Sequence, residues 1–365
     1  MKENTASSQL IRVLVVDDSA FMRTAISRMI ESDPGLRVLS TAQTGAEALE
    51  KVVSLGPDLV TLDVEMPGMN GIETLKRIME QSPRPVIMVS SLTQEGAETT
   101  LEALSLGAFD YVPKQQSYVS LDIIKIREDL VSKIKAAVES FRRRPVLKTP
   151  KVTPAPPPPS ATAQRQAYHV PPGIVAIGTS TGGPKALQEI LPLLPADLPV
   201  GVLIVQHMPK GFTGPFARRL DTLCKISVRE ASNDDPIQPG VVYVGPAGQH
   251  MTVHRHTPSK VVVRLSTTPT GTLHTPSVDV MMTSVAEVFR AQAMGVILTG
   301  MGADGLQGMQ AIARAGGQTV GQDEASCAVY GMPRSCAEAG ILQRVVPLMQ
   351  VPDQILHATQ YHKRS

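Results

Sequence analysis

The sequence contains no tryptophan, and aromatic residues make up only 3% of its 365 residues. Because large rings are so scarce, we expect hydrophobic cores built from Val, Ile, Leu, Met and Ala. The chain also lacks an excess of one charge, with 35 basic and 33 acidic residues, which argues against binding to duplex DNA. A chain of this length usually folds as two domains, each with its own core.

Cysteine is equally scarce. The three residues, Cys224, Cys327 and Cys336, are odd in number and lack the spacing of a metal site. Residues 1–9 are polar and have no apolar stretch of the kind found in a signal peptide, and no apolar run is long enough to span a bilayer. These absences predict a cytoplasmic protein with reduced thiols.

Apolar strand patterns and helical patterns alternate along most of the chain. Residues 10–143 contain five strand–helix pairs, in which Ser19 and Thr44 are predicted to cap the first two helices, and the alternation resumes at Gly173. Strict alternation predicts an α/β fold with a doubly wound parallel sheet in each half. Residues 241–265 depart from the pattern, because three β-rich stretches follow one another there and predict an antiparallel arrangement.

The two halves are separated by a stretch of different composition. Residues 144–172 are rich in proline, interleaved with alanine and threonine. Such a composition does not form packed helices or strands, and it predicts a linker with polyproline character. We therefore divide the chain into domains of residues 1–143 and 173–365, joined by this linker.

Polar residues follow the strands predicted in the first half, at the points where those strands end. They are Asp17, Asp18, Asp63, Ser90 and Lys114. Because the carboxyl ends of parallel strands open onto one mouth of a sheet, we expect these side chains to converge. Three converging carboxylates repel one another and offer hard oxygen ligands, which suits Mg²⁺. The alternative is a set of solvated loop acids. It readily explains a single acidic residue after a strand, but it explains five polar residues at one mouth less well.

This pattern resembles the receiver domain of response regulators, over residues 10–143. The resemblance implies that Asp63 accepts a phosphoryl group and that Asp17 and Asp18 hold Mg²⁺ together with it. It also implies a hydroxyl, an aromatic ring and a lysine that respond to phosphorylation, which are Ser90, Tyr111 and Lys114. The family usually has proline directly after the lysine, whereas this chain has Gln115.

The second half is organised around residues 178–183, which read Gly-Thr-Ser-Thr-Gly-Gly. They follow an apolar run and precede the first turn of a helix, so Ser180 is predicted on a strand-to-helix turn. Glycines permit strained backbone angles, and the unpaired N–H groups that open a helix can hold a negative charge. Such a turn exposes a serine nucleophile beside donors for an oxyanion. Two alternatives are a phosphate-binding turn, as in dinucleotide sites, and a plain tight turn.

His207 and Asp304 also lie just past predicted parallel strands, so we expect them to share a mouth with Ser180. An imidazole can take the serine proton and return it to the leaving group, while a carboxylate on its other nitrogen fixes the tautomer. Either residue alone is more typical of a loop or turn, but three complementary groups at three strand ends favour catalysis. The order Ser, His, Asp differs from the Ser, Asp, His of the α/β-hydrolases.

Residues 173–350 resemble the catalytic domain of the chemotaxis protein-glutamate methylesterases of the CheB type. The matching stretches are residues 178–183, 206–209, 298–305 and 322–333, with 274–279 as a looser match. The resemblance implies catalytic roles for Ser180, His207 and Asp304. It places Thr181 and the backbone of Met301 beside the oxyanion. We assign no functional role to residues 274–279 from the resemblance, because the family often has arginine where this chain has Thr275.

Together the two resemblances imply a flavodoxin-like receiver joined to a Rossmann-like catalytic domain with a β-rich insertion. The implied activity is that of a phosphorylation-activated serine esterase, which hydrolyses glutamate methyl esters on chemoreceptors, releases methanol and also deamidates receptor glutamines. The implied partners are methyl-accepting chemoreceptors as substrate and a chemotaxis histidine kinase as phosphodonor, with no nucleic acid. We expect a monomer that meets the membrane only through receptors, with Mg²⁺ in the receiver and no cofactor for the esterase.

Other function classes stay open at this point. A response regulator with a nucleic-acid-binding output domain is disfavoured, because the second half has no helix-turn-helix pattern and little net charge. A non-catalytic nucleotide-binding output domain is disfavoured because His207, and not an acidic residue, ends the second strand. A metal site is a further possibility at His250, His254 and His256, which share one strand face. Because no Cys or acid joins them at ligand spacing, we predict an exposed polar face there.

Overall fold

The computed structural model describes residues 10–114, 122–143 and 170–361. Most of the predicted linker, residues 144–169, and also Gln115, therefore lie outside the described residues. Within the three described ranges, no helix is long and apolar enough to cross a membrane. All three cysteines are free thiols.

The first half of the chain contains a five-stranded sheet. Its strands are β1 (Ile11–Val16), β2 (Leu36–Ala42), β3 (Leu59–Asp63), β4 (Val86–Ser90) and β5 (Asp110–Pro113). They lie in the order β2-β1-β3-β4-β5, and every neighbouring pair is parallel. The doubly wound, flavodoxin-like sheet predicted for this half is confirmed.

Five helices cover the two faces of this sheet. They are α1 (Ala20–Glu31), α2 (Gly45–Leu55), α3 (Gly71–Gln81), α4 (Gln94–Ser105) and α5 (Asp122–Arg143). Ser19 and Thr44 cap α1 and α2, as predicted, by accepting hydrogen bonds from the N–H groups of Met22 and Glu47. A capping side chain satisfies one of the unpaired donors at a helix start, which fixes where each helix leaves the preceding loop.

The second half contains a larger sheet and a separate hairpin. Its strands are β6 (Ile174–Thr179), β7 (Gly201–Gln206), β8 (Ser227–Glu230), β9 (Val241–Val244), β10 (His250–Thr257), β11 (Lys260–Ser266), β12 (Ala293–Ile297), β13 (Gln318–Gln322) and β14 (Arg344–Val346). The sheet has the order β14-β13-β12-β6-β7-β9-β8, and all its pairs are parallel. The predicted Rossmann-like parallel sheet is confirmed.

Six α-helices accompany this sheet in the described residues. They are α6 (Gly183–Ile190), α7 (Thr213–Leu223), α8 (Val278–Phe289), α9 (Leu306–Arg314), α10 (Met332–Glu338) and α11 (Val351–Ala358). The central strands β6, β7 and β12 are buried along their whole length. Their aliphatic side chains form the core that holds the strand ends in place.

The prediction for residues 241–265 is only partly right. The hairpin of β10 and β11 is antiparallel, as expected. β9, however, pairs in parallel with both β7 and β8 and so belongs to the main sheet. The reason is burial, because Val242, Tyr243 and Val244 are all fully buried, as in an inner strand covered on both faces.

The predicted exposed face of β10 is wrong at His250, which is fully buried. Its Nδ1 accepts a hydrogen bond from the Ser277 N–H over 3.2 Å, so Nε2 carries the proton and donates to the Pro269 carbonyl over 3.1 Å. His254 and His256 are exposed, as predicted. The difference arises because only the first half of β10 is covered by the rest of the domain.

The two halves contact each other through α4, which packs against α6 and α7. Beside these helices, the ring of Tyr111 stacks on the ring of Phe212, with centroids 5.0 Å apart and planes inclined by 2°. Both rings are buried. At the solvent edge, Arg218 pairs with Glu98 over 3.2 Å. The first half therefore lies against the loop and helix that follow β7.

Candidate active site and phosphorylation site

The candidate active site lies where the strand order of the second sheet reverses. The chain passes from β6 to β7 on one side and later returns to β12 on the other, so a crevice opens above the carboxyl end of β6. Ser180 follows β6 and His207 follows β7, at adjacent positions of the strand register. Asp304 lies in the loop between β12 and α9. The three residues predicted from the sequence thus meet at one mouth.

Ser180 opens a tight turn that is held through its backbone. Its N–H donates to the Thr299 carbonyl over 3.0 Å, and its own carbonyl accepts the Gly183 N–H over 2.8 Å. The side-chain amide of Gln206 donates to the same carbonyl over 3.0 Å. Gly182 has a φ of 77°, in the left-handed region that favours glycine. The turn leaves Ser180 half-exposed directly in front of α6.

His207 is held along one edge of its ring. Its Nε2 lies 2.8 Å from Asp304 Oδ2, and because a carboxylate only accepts, Nε2 carries the proton. The other nitrogen, Nδ1, is buried and has no hydrogen-bond partner among the described residues. No hydrogen bond joins His207 to Ser180 in the described part of the chain, and such contacts often tighten only with substrate bound. Nδ1 is therefore the basic nitrogen of the ring.

Asp304 is surrounded by hydrogen-bond donors from the start of α8. Oδ1 accepts from the Ser277 hydroxyl over 2.8 Å and from the Asp279 N–H over 3.0 Å. Oδ2 accepts from the Val278 N–H over 2.8 Å, in addition to His207. Burial would raise the pKa of this carboxyl, but its bond to His207 and these backbone donors outweigh burial and hold the pKa well below its usual range. Asp304 is therefore ionised and has a fixed orientation.

The residues predicted beside the oxyanion adjoin Ser180. Thr181 follows it in the turn, and its carbonyl accepts from Thr299 Oγ1 over 2.9 Å. Gly300, which precedes Met301, lies so close that a Cβ there would be 2.9 Å from Ser180 Cβ. Glycine at this position brings the Met301 backbone next to the turn.

Three residues of the site received no role from the sequence. His274 stacks on His207, Ser277 donates to Asp304, and Asp279 accepts the N–H groups of Gly305 and Gly308 at the start of α9. All three belong to the loosely matching stretch 274–279. The one local signal was Ser277 in front of an apolar helical run, which is typical of a helix cap. The cap was visible in the sequence, but the carboxylate bound at the same helix start was not.

The acidic cluster predicted in the first half lies at the reversal point of the first sheet, above β1 and β3. Asp17, Asp18 and Asp63 each offer a carboxylate oxygen, and these oxygens lie within 4.8 Å of one another. Lys114 Nζ is 2.7 Å from Asp63 Oδ2 and 3.1 Å from Asp17 Oδ2. Burial raises the pKa of Asp63 to about 6, since the lysine offsets burial only in part. Hard oxygen donors with uncompensated negative charge fit Mg²⁺.

The two remaining switch candidates differ in their surroundings. Ser90 is fully buried, and its hydroxyl donates to the Gly96 carbonyl at the start of α4 over 3.1 Å. Tyr111 lies in β5, next to β4, and carries the stack on Phe212. Tyr111 is therefore part of the contact between the two halves, and Ser90 is bonded to α4, which also forms that contact.

Comparison with known proteins agrees with this architecture. Residues 175–355 match the family model described as CheB methylesterase, and residues 13–123 match the response regulator receiver domain. Protein-glutamate methylesterase/protein-glutamine glutaminase 1 of Oleidesulfovibrio alaskensis is 46% identical, covering 96% of this chain and 99% of that protein. The corresponding protein of Symbiobacterium thermophilum is 47% identical, covering 95% of this chain and 97% of that protein.

A solved structure gives the same result for the second half. The crystal structure of the Thermotoga maritima CheB methylesterase catalytic domain is 37% identical, has a TM-score of 0.50, and covers 51% of this chain and 98% of that chain. The relatives are thus similar along nearly the whole length, and the two family models fall on the two parallel sheets. The chain belongs to the CheB methylesterase family, with a response-regulator receiver domain ahead of the catalytic domain.

Proposed function

We propose that this chain is a phosphorylation-activated protein-glutamate methylesterase that also deamidates glutamine, with Ser180 as nucleophile, His207 as base and Asp304 as its orienting group. The observation that supports these roles is the polarised imidazole of His207. One of its nitrogens donates to a fixed carboxylate, and the other is buried and has no hydrogen-bond partner among the described residues. The backbone N–H of His207 donates to the carbonyl of Thr179, the residue directly before Ser180, over 3.2 Å. A base needs this arrangement to take a proton from a serine hydroxyl.

In the first step of the proposed reaction, Ser180 Oγ attacks the carbonyl carbon of a glutamate methyl ester as its proton passes to His207 Nδ1. The N–H groups of Thr181 and Met301 stabilise the oxyanion that forms. The C–O bond to methoxide then breaks, and the leaving group takes the proton from His207 and departs as methanol. Water, deprotonated by the same nitrogen, hydrolyses the acyl-enzyme to a glutamate carboxylate. With a glutamine substrate the leaving group is ammonia.

The receiver is proposed to take a phosphoryl group on Asp63. Asp17, Asp18 and Asp63 would hold Mg²⁺, which supplies positive charge for the oxygens of the incoming phosphoryl group. Lys114, already paired with Asp63, adds a second positive charge at the same place. Ser90 and Tyr111 are proposed to respond to the new charge.

The proposed partners are methyl-accepting chemoreceptors as substrate and a chemotaxis histidine kinase as phosphodonor. We propose that the protein binds no nucleic acid and that the esterase itself uses no cofactor. We place the enzyme in the cytoplasm, as a monomer that meets the membrane only through receptors. The proposed division is residues 1–143 for the receiver, 144–172 for the linker and 173–365 for the catalytic domain.

The alternative of a nucleotide-binding or nucleic-acid-binding output domain is not supported. The matched family and the relatives over the whole chain are esterases and glutaminases by name. The turn of residues 178–183 is also filled by protein side chains, because a Cβ on Gly183 would lie 2.1 Å from Gln206 Oε1. That close packing replaces the open glycine face that a pyrophosphate requires.

Methanol release from methylated receptor membranes tests the proposed function. We expect the full chain to release methanol and to do so faster with Mg²⁺ and a small phosphodonor. A serine-reactive phosphonate should label Ser180 and stop the release. Receptor membranes whose methyl esters were removed beforehand serve as the control. Labelling without methanol release would leave a serine hydrolase with a different substrate and would contradict the proposal.

The regulatory part of the proposal depends on where the receiver touches the catalytic domain. Tyr111 stacks on Phe212, which lies in the loop that begins with His207. Asp110 is also buried, which raises the pKa of its carboxyl, and the backbone N–H of Gly182, in the turn that begins with Ser180, is among the nearby groups that oppose this shift. The receiver thus lies against both loops that carry the proposed nucleophile and base. A cover of this kind restricts access of a receptor segment to the mouth.

We therefore expect a fragment of residues 173–365 to hydrolyse methyl esters faster than the unphosphorylated full chain. The catalytic residues all lie within the fragment, so removing the receiver uncovers the mouth without removing chemistry. If the covered form dominates by about 100:1, opening costs about 2.7 kcal/mol and the gain reaches about 100-fold. The measurement is the initial rate of methanol release by both proteins, with circular dichroism as the check on the fragment's fold.

Controls in the full chain distinguish a receiver that covers the active site from a receiver that recruits the catalytic domain to its substrate. Asp63→Asn and removal of Mg²⁺ with a chelator should each abolish stimulation by the phosphodonor while leaving the basal rate. Glu98→Arg places like charges opposite Arg218 at the edge of the contact, and it should raise the basal rate modestly, because an exposed pair contributes little. A fragment slower than the unphosphorylated full chain would contradict the cover and favour a receiver that recruits the catalytic domain to its substrate.

A further inference from the structure

The ring of His274 lies flat on the ring of His207. Their centroids are 3.8 Å apart and their planes differ by 18°. The N–H groups and lone pairs of an imidazole lie in the plane of its ring, so two stacked rings cannot pass a proton between them. His274 therefore touches the proposed base without taking part in its hydrogen bonding.

The stack supplies a constraint that the carboxylate does not. The hydrogen bond from Nε2 to Asp304 fixes one edge of the His207 ring, but the ring can still swing about that edge. No hydrogen-bond partner in the described residues holds Nδ1 on the opposite edge. Contact with a second flat ring fixes the plane, and with it the direction of the Nδ1 lone pair. A general base depends on that direction, since misplacement by about 1 Å costs as much as 100-fold in rate.

His274 belongs to a segment that is itself held in place. The next residue, Thr275, accepts the Gly248 N–H at its carbonyl over 3.0 Å. Further along, the Ser277 N–H donates to buried His250, and the Ser277 hydroxyl donates to Asp304. One short segment therefore contacts the ring of the base and also the carboxylate that orients it, so the two groups keep a fixed relation to each other.

The charge state of His274 suits this position. Burial lowers the pKa of its ring to about 4, and the neighbouring His207 acts in the same direction. Asp304 and the receiver residue Asp129 oppose that shift, while Lys133 adds to it. The ring is thus uncharged at neutral pH, and it does not repel the imidazolium that His207 becomes during the reaction.

We propose that His274 is a positioning residue for the esterase reaction, which fixes the ring plane of His207 by stacking and so aims Nδ1 at Ser180. The inference rests on the proposed function, because it assumes that His207 is the base. It predicts that the flat ring of His274 matters and that its nitrogen atoms do not. An aromatic hydrocarbon of similar size should therefore replace it.

The test compares His274→Phe with His274→Ala and His274→Asn in the full chain, with Mg²⁺ and a small phosphodonor present. Kinetics of methanol release give kcat and KM, and the rate of Ser180 labelling by a phosphonate reports the nucleophile without receptor binding. We expect His274→Ala and His274→Asn to lower kcat and the labelling rate about 10- to 100-fold with KM unchanged. His274→Phe should stay within about 5-fold of the parent. His254→Ala, at an exposed ring on β10, is the matched control.

Two results would overturn the inference. Equal kcat in the parent, His274→Ala and His274→Asn would show that the stack does not position the base. A loss in His274→Phe as deep as in His274→Ala, with both variants melting like the parent, would assign the effect to the ring nitrogens. Ser180→Ala in the same assay distinguishes a failure of the proposed function from a failure of this inference. If Ser180→Ala keeps its turnover, the proposed function is wrong. If Ser180→Ala is inactive while His274→Ala has normal activity, only the positioning role of His274 is wrong.

Discussion

Ser180→Ala is expected to lower kcat for methyl-ester hydrolysis by about 10⁴-fold or more, with the fold unchanged. Removal of a serine nucleophile typically has this effect, because the remaining oxyanion donors and substrate contacts supply only a residual acceleration. The structure explains why stability should be kept. The hydrogen bonds of Ser180 to Thr299, Gly183 and Gln206 all use its backbone N–H or carbonyl, which alanine retains. The side chain is half-exposed, so the loss of one oxygen leaves no buried cavity.

The measurement for Ser180→Ala is methanol release under phosphodonor, alongside thermal melting of the same preparation. Ser227→Ala, on the exposed edge strand β8, is the matched control and should keep full activity. Reaction with a serine-directed phosphonate should also disappear in Ser180→Ala. If turnover stayed within 10-fold of the parent while the melting curve was unchanged, another residue would have to be the nucleophile.

Features fixed by neighbouring residues could be predicted from the sequence. The caps at Ser19 and Thr44 depend on contacts three residues apart, and both were predicted where they occur. The parallel sheets followed from the alternation of strands and helices. The polar residues at strand ends also followed, since a parallel sheet gathers all its carboxyl ends at one edge. Ser180, His207 and Asp304 could therefore be selected as a group from the sequence.

Features fixed by contacts between distant segments could not be predicted in the same way. His250 has the same period-two pattern as exposed His254, and only the segment that covers β10 makes it buried. The parallel pairing of β9 depends on β7 and β8, which no local pattern of residues 241–244 specifies. The stack of His274 on His207 likewise joins two loops that meet only in the folded chain. These contacts set the orientation of the site rather than its composition.

The second large effect on activity is expected at Asp304, because its carboxylate accepts hydrogen bonds from other groups besides His207. It accepts four hydrogen bonds in all, two at each oxygen, from Ser277, Asp279, Val278 and His207. An amide at this position has one accepting and one donating end. The NH₂ group faces a backbone N–H in both possible orientations of the amide. It faces the N–H of Asp279 if it takes the position of Oδ1, and the N–H of Val278 if it takes the position of Oδ2. One backbone donor is thus left without an acceptor, which costs about 1–3 kcal/mol.

Asp304→Asn is therefore expected to lower kcat by about 10³- to 10⁴-fold, and His207→Ala by at least 10-fold more. If the NH₂ faces His207, its ring must accept at Nε2 and carry its proton on Nδ1, which blocks the nitrogen proposed as the base. If the NH₂ faces Asp279 instead, the tautomer survives but the negative charge that stabilises the imidazolium is lost. His207→Ala removes the proton carrier in every case.

Ser277→Ala, which deletes one donor and leaves the contact from Asp304 to His207, is the matched control and should lose less than 10-fold. Steady-state kcat for the three variants, with melting curves to separate activity from stability, decides the order. A loss in Asp304→Asn equal to or larger than that in His207→Ala would mean that Asp304 has a function beyond orienting and stabilising the base.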